Sequence, residues 1–316
     1  MFSGMDIEFK DNGTVELSMD DYIKEYIALY DKQGMKMYKT PASGTLFDDD
    51  TKEKNMELPE DEAEKFHHTT AKLLLASKRV RIDIDTAVLF LCTRVASPTV
   101  GDEEKLKRVI SYLKGTAMLK RIMGMNGMMY LYTWVDTSYG IHRDMKGHNG
   151  GVISMGQGAI IHGCSKQKIN TKSSTESEVV GASDFLPSTI WTKYFLEAQG
   201  YKVRRNILFQ DNTSAIKMIK NGIASCGSKS RHIHIRYFFT KDVLKRENID
   251  VEYCQTNQML ADYYTKPLQD KQFITLRNII MGHTNMVVKE RVEQNKQGSK
   301  SEMKSNRTLK KNKNLF

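Results

Sequence analysis

The stretch NILFQDNTSAIKMIK (residues 206–220) places a buried strand, a carboxylate and a short helix in direct succession. The apolar run over 206–210 is typical of a strand covered on both faces, and 212–220 has helical spacing. Asp211 lies at the junction, and ligand sites in open α/β sheets collect at the carboxyl ends of strands. Asp211 is therefore a candidate site residue, with an N-cap for the following helix as the alternative role.

The hydrophobic pattern on either side of this stretch divides the chain into two regions. The first carries a hairpin at 5–17, turning at Asn12-Gly13, then helices over 18–30, 61–79, 83–96 and 102–113, with a loop at 40–60.

The second region has a strand-like period from residue 128. Its predicted strands cover 128–135, 151–155, 159–165, 206–210 and 250–254, with a glycine-rich turn at 146–151 and helices over 175–199, 212–220, 234–247, 257–265 and 270–281. We expect an α/β fold with a mixed five-stranded sheet, preceded by a mainly helical segment with a β-hairpin.

Charge is distributed unevenly along the chain. Residues 1–64 contain 17 acidic and 7 basic residues, a balance of −10. Since the whole chain has a net charge of +10, the remaining residues carry a net charge of +20. A basic excess of this size favours a polyanionic partner such as nucleic acid, with a solvated basic surface as the alternative. No apolar run approaches the roughly 20 residues of a membrane span, so no membrane partner is expected.

Zinc chemistry is not expected from the cysteines. Cys92, Cys164, Cys226 and Cys254 are too far apart for any C-x-x-C pair. The thiols are typical of buried or inert groups in a reducing compartment.

Four carboxylates in a fixed order suggest a different metal. Asp136, Glu178, Asp211 and Asp262 are separated by 42, 33 and 51 residues, and each is predicted to lie where an element begins or ends. Each also has an ordinary structural alternative: a turn for Asp136, a capping box with Thr175 for Glu178, and solvated helix surface for Asp262. Carboxylates gathered in one place repel one another unless cations are present. The sequence therefore predicts a two-ion magnesium centre of the kind that hydrolyses phosphodiesters.

Several motifs together resemble the ribonuclease H domain of copia-type retrotransposon polyproteins. They are KQKINTKSSTE (166–176), SSTESEVVGAS (173–183), DNTSAIKM (211–218), GSKSRHIHIRYFF (227–239) and QMLADYYTKPL (258–268). Upstream, FSGMDIEFKDNGTVELSMDDY (2–22), TPASG (40–44) and RVISYLKGT (108–116) resemble the region that joins the reverse-transcriptase core to that domain. The resemblance covers about residues 2–280.

The resemblance implies a domain plan and a site. Residues 1–125 would be a remnant of the reverse-transcriptase thumb and connection region, 126–282 a ribonuclease H-like domain, and 283–316 a basic disordered tail. By position, Asp136, Glu178, Asp211 and Asp262 match the metal-binding and catalytic carboxylates, with Glu178 preferred to Glu176. The cofactor would be two Mg²⁺ ions, or Mn²⁺.

The implied activity is hydrolysis of RNA in an RNA–DNA hybrid. Candidate residues for gripping the hybrid are Lys166, Lys168, Lys172, Lys229, Arg231 and His232. A polymerase portion supplied by another chain is a further possible partner, because this sequence has no Tyr-x-Asp-Asp motif. The Trp that the family has after its first aspartate is also absent. The alternative is a non-catalytic remnant with at most nucleic-acid binding. The sequence does not fix the location of the protein; an intracellular protein is expected, in the cytoplasm or the nucleus.

Overall fold

The central feature of the fold is a five-stranded mixed sheet. The computed structural model of the protein describes residues 4–30, 36–48, 50–142, 144–222 and 234–285. The strands of this sheet are β4 (Tyr130–Ser138), β5 (His148–Ser154), β7 (Ala159–Lys166), β8 (Arg205–Gln210) and β9 (Ile249–Tyr253), in the order β7-β5-β4-β8-β9. β5 is antiparallel to both of its neighbours, whereas β4, β8 and β9 are mutually parallel. The predicted α/β class with a mixed five-stranded sheet is confirmed.

Helices cover this sheet and close its core. They are α5 (Ser174–Ala198), α6 (Thr213–Asn221), α7 (His234–Glu247), α8 (Asp262–Thr265) and α9 (Asp270–Ile280), with a 3₁₀ turn at Thr256–Gln258. Apolar side chains of α5, α6 and α7 pack against those of β4, β8 and β9 in one continuous buried cluster. Burying this apolar surface is what holds the helical layer on the sheet.

The prediction of a turn at 146–151 is wrong, because β5 already begins at His148. Its two glycines serve close packing on opposite faces of the strand. A Cβ atom at Gly150 would lie 2.7 Å from the Thr265 side chain, and one at Gly151 would lie 2.3 Å from the Phe185 ring. Glycine here lets α8 and α5 approach the sheet from its two sides.

The N-terminal region adds helices and a second sheet. Its elements are β1 (Asp6–Phe9), β2 (Val15–Ser18), α1 (Asp20–Tyr30), α2 (Glu60–Arg79), α3 (Asp85–Cys92), α4 (Val100–Gly115) and β3 (Arg121–Met125), with a 3₁₀ turn at Ile82–Ile84. The predicted hairpin is confirmed, since β1 and β2 pair antiparallel. β3 was not predicted. It pairs with β2 and with β6 (Gly156–Gln157), which gives the order β1-β2-β3-β6.

Residues Met1–Asn285 form one compact unit. The Arg121 guanidinium illustrates the contact between its N- and C-terminal parts, because it donates to the main-chain oxygens of Arg79 and Ala159 at 2.5 and 2.7 Å. The domain boundary at 125/126 stays a prediction. Of the predicted tail at 283–316, only residues 283–285 belong to the described part of the chain, so this call also stays a prediction. None of the described helices combines the length and apolarity needed to cross a bilayer.

Candidate metal centre

Three of the four predicted carboxylates meet at one end of the central strands. Asp136 lies in β4, Asp211 directly follows the adjacent parallel strand β8, and Glu178 lies near the start of α5. One carboxylate oxygen from each of these three residues lies within 4.8 Å of the others. Parallel neighbouring strands bring their carboxyl ends to the same edge, which is why residues far apart in sequence converge there.

The first turn of α5 separates a capping residue from a site residue. The N-cap is Ser173, whose hydroxyl accepts from the Glu176 amide at 3.2 Å, and the Glu176 carboxylate accepts from the Lys172 amide at 2.9 Å. The predicted capping box of Thr175 with Glu178 is therefore not the one that forms. Because Ser173 and Glu176 cap the helix, the Glu178 side chain is left for the carboxylate group, and Glu176 is not part of it.

The ordinary alternative for Asp211 is also not the one that forms. Asn212 is the N-cap of α6, and its side-chain oxygen accepts from the amides of Ser214 and Ala215, each at 3.0 Å. Asp211 instead accepts a hydrogen bond from the Thr256 hydroxyl at 3.2 Å. The carboxylate is therefore held beside the end of β8 without a helix-capping role.

Asp136 and Asp262 are neither turn nor surface residues. Asp136 lies inside β4, which extends to Ser138, and it is 2% exposed. Asp262 is the first residue of α8 and is 1% exposed. Buried carboxylates require partners. Asp136 accepts a hydrogen bond from the Thr265 hydroxyl, and Asp262 is paired with Lys266.

Gln210 links the end of β8 to α5 and to the chain beyond the strand. Its side-chain amide donates to Glu178 Oε2 at 3.1 Å, while its side-chain oxygen accepts from the amides of Asp211 and Asn212 at 2.8 and 3.1 Å. Gln210 is completely buried. It therefore orients the Glu178 carboxylate and fixes the backbone at Asp211.

Burial and mutual repulsion make the carboxylates hard to ionise together. Burial raises the pKa of Glu178 well above its ordinary range, and the charge of Asp136 adds to this, against the opposing hydrogen bond from Gln210. Burial and the charge of Asp136 also raise the pKa of Asp211, and they raise the pKa of Asp262 to about 7. A divalent cation would favour the ionised forms and so reverse these shifts.

Lys266 is a further residue of the candidate centre and was not predicted from the sequence. Its ammonium lies 2.8 Å from Asp262 Oδ1 and 3.5 Å from Asp136 Oδ2. Burial alone would lower the pKa of Lys266, but Asp136 and Asp262 together raise it. The available signal was the spacing of four residues from Asp262, which brings two side chains together on a helix. The roles of Gln210, Thr256 and Thr265 had no comparable signal, because their partners are distant in sequence.

The basic residues predicted to grip nucleic acid are described in part. Lys166, Lys168 and Lys172 are exposed along the end of β7 and the connection to α5. Lys166 is paired with Asp144 at 2.8 Å. The predicted contributions of Lys229, Arg231 and His232 lie outside the described residues.

Known proteins that are similar to this chain include polyproteins of retrotransposons. No protein-family model matches the chain. It is 26% identical over 277 residues to the retrovirus-related Pol polyprotein from transposon TNT 1-94 of Nicotiana tabacum, a match that covers 85% of this chain and 20% of that polyprotein. The match to the retrovirus-related Pol polyprotein from transposon RE1 of Arabidopsis thaliana is 28% identical and covers 61% of this chain and 13% of that polyprotein.

A yeast relative matches over a similar range. The transposon Ty1-JR1 Gag-Pol polyprotein of Saccharomyces cerevisiae is 25% identical over 293 residues, covering 87% of this chain and 16% of the polyprotein. The chain thus spans a fifth or less of the curated relatives described here. Over most of its own length, it is homologous to retrotransposon Pol and Gag-Pol polyproteins.

Proposed function

We propose that the protein is a retrotransposon ribonuclease H, which hydrolyses the RNA strand of RNA–DNA hybrids with the help of divalent cations. The observation that carries the proposal is the convergence of Asp136, Glu178 and Asp211 within 4.8 Å, with Asp262 joined to Asp136 through Lys266. Under this proposal, the mixed sheet with α5 across it is a ribonuclease H-like fold, and residues 126–282 form the catalytic domain.

The donor set fits a hard divalent cation. Every member of the cluster offers carboxylate oxygens, which suit Mg²⁺ or Mn²⁺ and are poor ligands for softer metals. Burial, and after it the charge of Asp136, raises the pKa values of Glu178 and Asp211, and a cation beside them would favour their ionised forms. Asp136, Glu178, Asp211 and Asp262 are the residues that would hold the metal.

Bound divalent cations would supply an activated water and stabilise the departing oxygen of the phosphodiester. The residues of the chain prepare the place where this occurs. Gln210 and Thr256 orient Glu178 and Asp211 through hydrogen bonds of 3.1 and 3.2 Å. Thr265 holds Asp136 through a hydrogen bond from its hydroxyl. The carboxylates therefore need little rearrangement before the reaction, which is how a fixed site contributes to catalysis.

The proposed substrate rests on the resemblance to copia-type ribonuclease H motifs and on the exposed basic residues near α5. Lys166, Lys168 and Lys172 are exposed on the segment that leads directly to Ser173, the N-cap of α5. Phosphate contacts from such side chains bind a duplex without reading its sequence. We therefore expect preference for the hybrid helix and little preference among base sequences.

The test is magnesium-dependent cleavage of an RNA strand labelled at its end and annealed to DNA. The wild-type chain is expected to cleave the hybrid, to spare double-stranded DNA, and to stop when EDTA is added. Asp211→Asn is expected to abolish cleavage. Asp242→Asn makes the same change at an exposed position on α7 and is expected to cleave at the wild-type rate. Absence of cleavage by a folded wild-type chain would favour the non-catalytic remnant instead.

A further inference from the structure

We propose that the Lys266 ammonium takes the place of a second divalent cation between Asp136 and Asp262, so that metal ions enter the centre in two unequal steps. This inference rests on the proposed function, because it requires the carboxylates to bind divalent cations. It concerns one lysine of the chain and its effect on metal affinity, which can be measured without substrate.

The carboxylate centre has two differently occupied halves. Asp136, Glu178 and Asp211 form one half, where the three oxygens lie within 4.8 Å. Among the described residues, no lysine or arginine forms an ion pair within 4.0 Å of Glu178 or Asp211. Within the described part of the chain, Glu178 and Asp211 therefore have no ammonium or guanidinium of their own, and Asp136 is the one member of this half that Lys266 reaches.

The other half already contains a positive charge. The Lys266 ammonium lies 2.8 Å from Asp262 and 3.5 Å from Asp136, and so it bridges two carboxylates that come from different elements. Both carboxylates are almost completely buried, which strengthens their attraction for the ammonium compared with a surface pair. A cation that bridged the same two carboxylates would have to displace Lys266.

Lys266 has room to leave. It follows the last residue of α8, and its side chain is 40% exposed, so the ammonium can turn toward water while the backbone stays in place. The free-energy cost of displacing Lys266 would weaken the binding of the second ion. The first ion would enter beside Glu178 and Asp211, which have no ammonium to displace among the described residues, and it would share Asp136 with Lys266.

The consequence is a built-in difference between two metal-binding steps. The first step should be the tighter one, and the second should be weakened by the competition with Lys266. Replacing Lys266 with an uncharged side chain should tighten the second step and leave the first nearly unchanged. Lys266→Arg should keep the second step weak, because the positive charge stays beside Asp262.

The experiment is calorimetric titration of Mn²⁺ into metal-free protein, comparing wild type with Lys266→Met, Lys266→Arg and Lys202→Met. Lys202 is exposed between α5 and β8, so Lys202→Met removes one charge away from the centre. The expected result is two steps in wild type, a second step tightened about tenfold or more in Lys266→Met, and wild-type behaviour in Lys202→Met. Lys266→Gln serves as a second uncharged variant, and circular dichroism shows that each variant is folded.

The two proposals fail in different ways. An unchanged or weaker second step in both folded Lys266→Met and Lys266→Gln would overturn the role of Lys266 while leaving the metal centre in place. A wild-type chain that takes up no more Mn²⁺ than Asp211→Asn would overturn the metal centre itself, and the role of Lys266 with it.

Discussion

The Thr86 hydroxyl donates a hydrogen bond of 2.8 Å to the main-chain oxygen of Tyr263, joining α3 to α8 across 177 positions of sequence. The Tyr263 hydroxyl in turn donates to the main-chain oxygen of Asp83 at 3.0 Å. Tyr263 directly follows Asp262, so these contacts fix the backbone that presents the fourth carboxylate. The N-terminal helical segment is thus part of the support of the proposed site.

Removing the Thr86 hydroxyl should destabilise the protein while preserving the shape of the side chain. Thr86→Val leaves a buried main-chain oxygen without its donor, and we expect a loss of about 1–3 kcal/mol in the free energy of unfolding. Urea unfolding measures this directly. Thr93→Val is the matched control, because Thr93 is exposed and its hydroxyl donates a local hydrogen bond to the main-chain oxygen of Phe90. Equal losses in both variants would contradict a special role for the contact between α3 and α8.

The two glutamates at the start of α5 should respond differently to the same substitution. Glu178→Gln should lower hybrid cleavage by at least about 100-fold and weaken Mn²⁺ binding, because it removes a charge from the carboxylate cluster. Glu176→Gln should retain cleavage, because its side-chain oxygen can still accept from the Lys172 amide. Cleavage assays with matched protein concentrations compare the two. Loss of activity in Glu176→Gln with retention in Glu178→Gln would reverse the assignment.

Much of this site could be predicted, because its main determinants are local. Asp211 follows an apolar strand and precedes a helix, and this local succession places it at the carboxyl end of a strand of the sheet. The choice between Glu176 and Glu178 was less local. The preference for Glu178 came from the resemblance. The residues alone also allowed a capping box of Thr175 with Glu178, because Ser173 and Thr175 offer similar hydroxyls two residues apart.

The elements that were missed depend on distant partners. Glycines at 150 and 151 are equally typical of a turn and of close packing, and only Thr265 and Phe185 decide between them. β3 is a five-residue strand whose pairing with β2 joins Leu17 to Arg121. Neither relationship leaves a periodic pattern in the sequence around it.

Gly181 should be intolerant of a side chain, because α5 lies against β4 at this point. A Cβ atom there would lie 2.2 Å from the Thr137 side chain. Thr137 directly follows Asp136, and Gly181 lies three residues after Glu178. Gly181→Ala should therefore cost about 1–3 kcal/mol of stability and weaken Mn²⁺ binding by moving Glu178 away from Asp136. Thermal unfolding and calorimetric titration measure the two effects.

Gly163→Ala is the control for this substitution. A Cβ atom at Gly163 would meet Phe185 at 3.9 Å, an ordinary contact distance. We expect little change in stability or in metal binding. A Gly181→Ala variant as stable as Gly163→Ala would show that α5 and β4 can separate without cost.

Asp262 should make the stability of the metal-free protein depend on pH in an unusual direction. Its folded pKa of about 7 exceeds the ordinary value of 3.8, through burial and then the charge of Asp136. Between those values the native state holds a proton that the unfolded state has released. Its contribution to stability is therefore present at low pH and is lost as the pH rises toward 7, by up to about 1.4 kcal/mol per pH unit.

Other groups act in the opposite sense, so the prediction concerns a difference between two proteins. Burial, reinforced by His142, lowers the pKa of His148 to about 3, which removes stability as the pH falls. The Asp262→Asn variant keeps the effect of His148, but it has no carboxyl group at position 262 that could hold a proton. In EDTA, wild type should lose stability relative to Asp262→Asn between about pH 4 and pH 7, as measured by urea unfolding. Parallel curves would refute the assignment. Mg²⁺ should reverse the trend, because metal binding to Asp262 requires the deprotonated carboxylate and therefore strengthens as the pH rises.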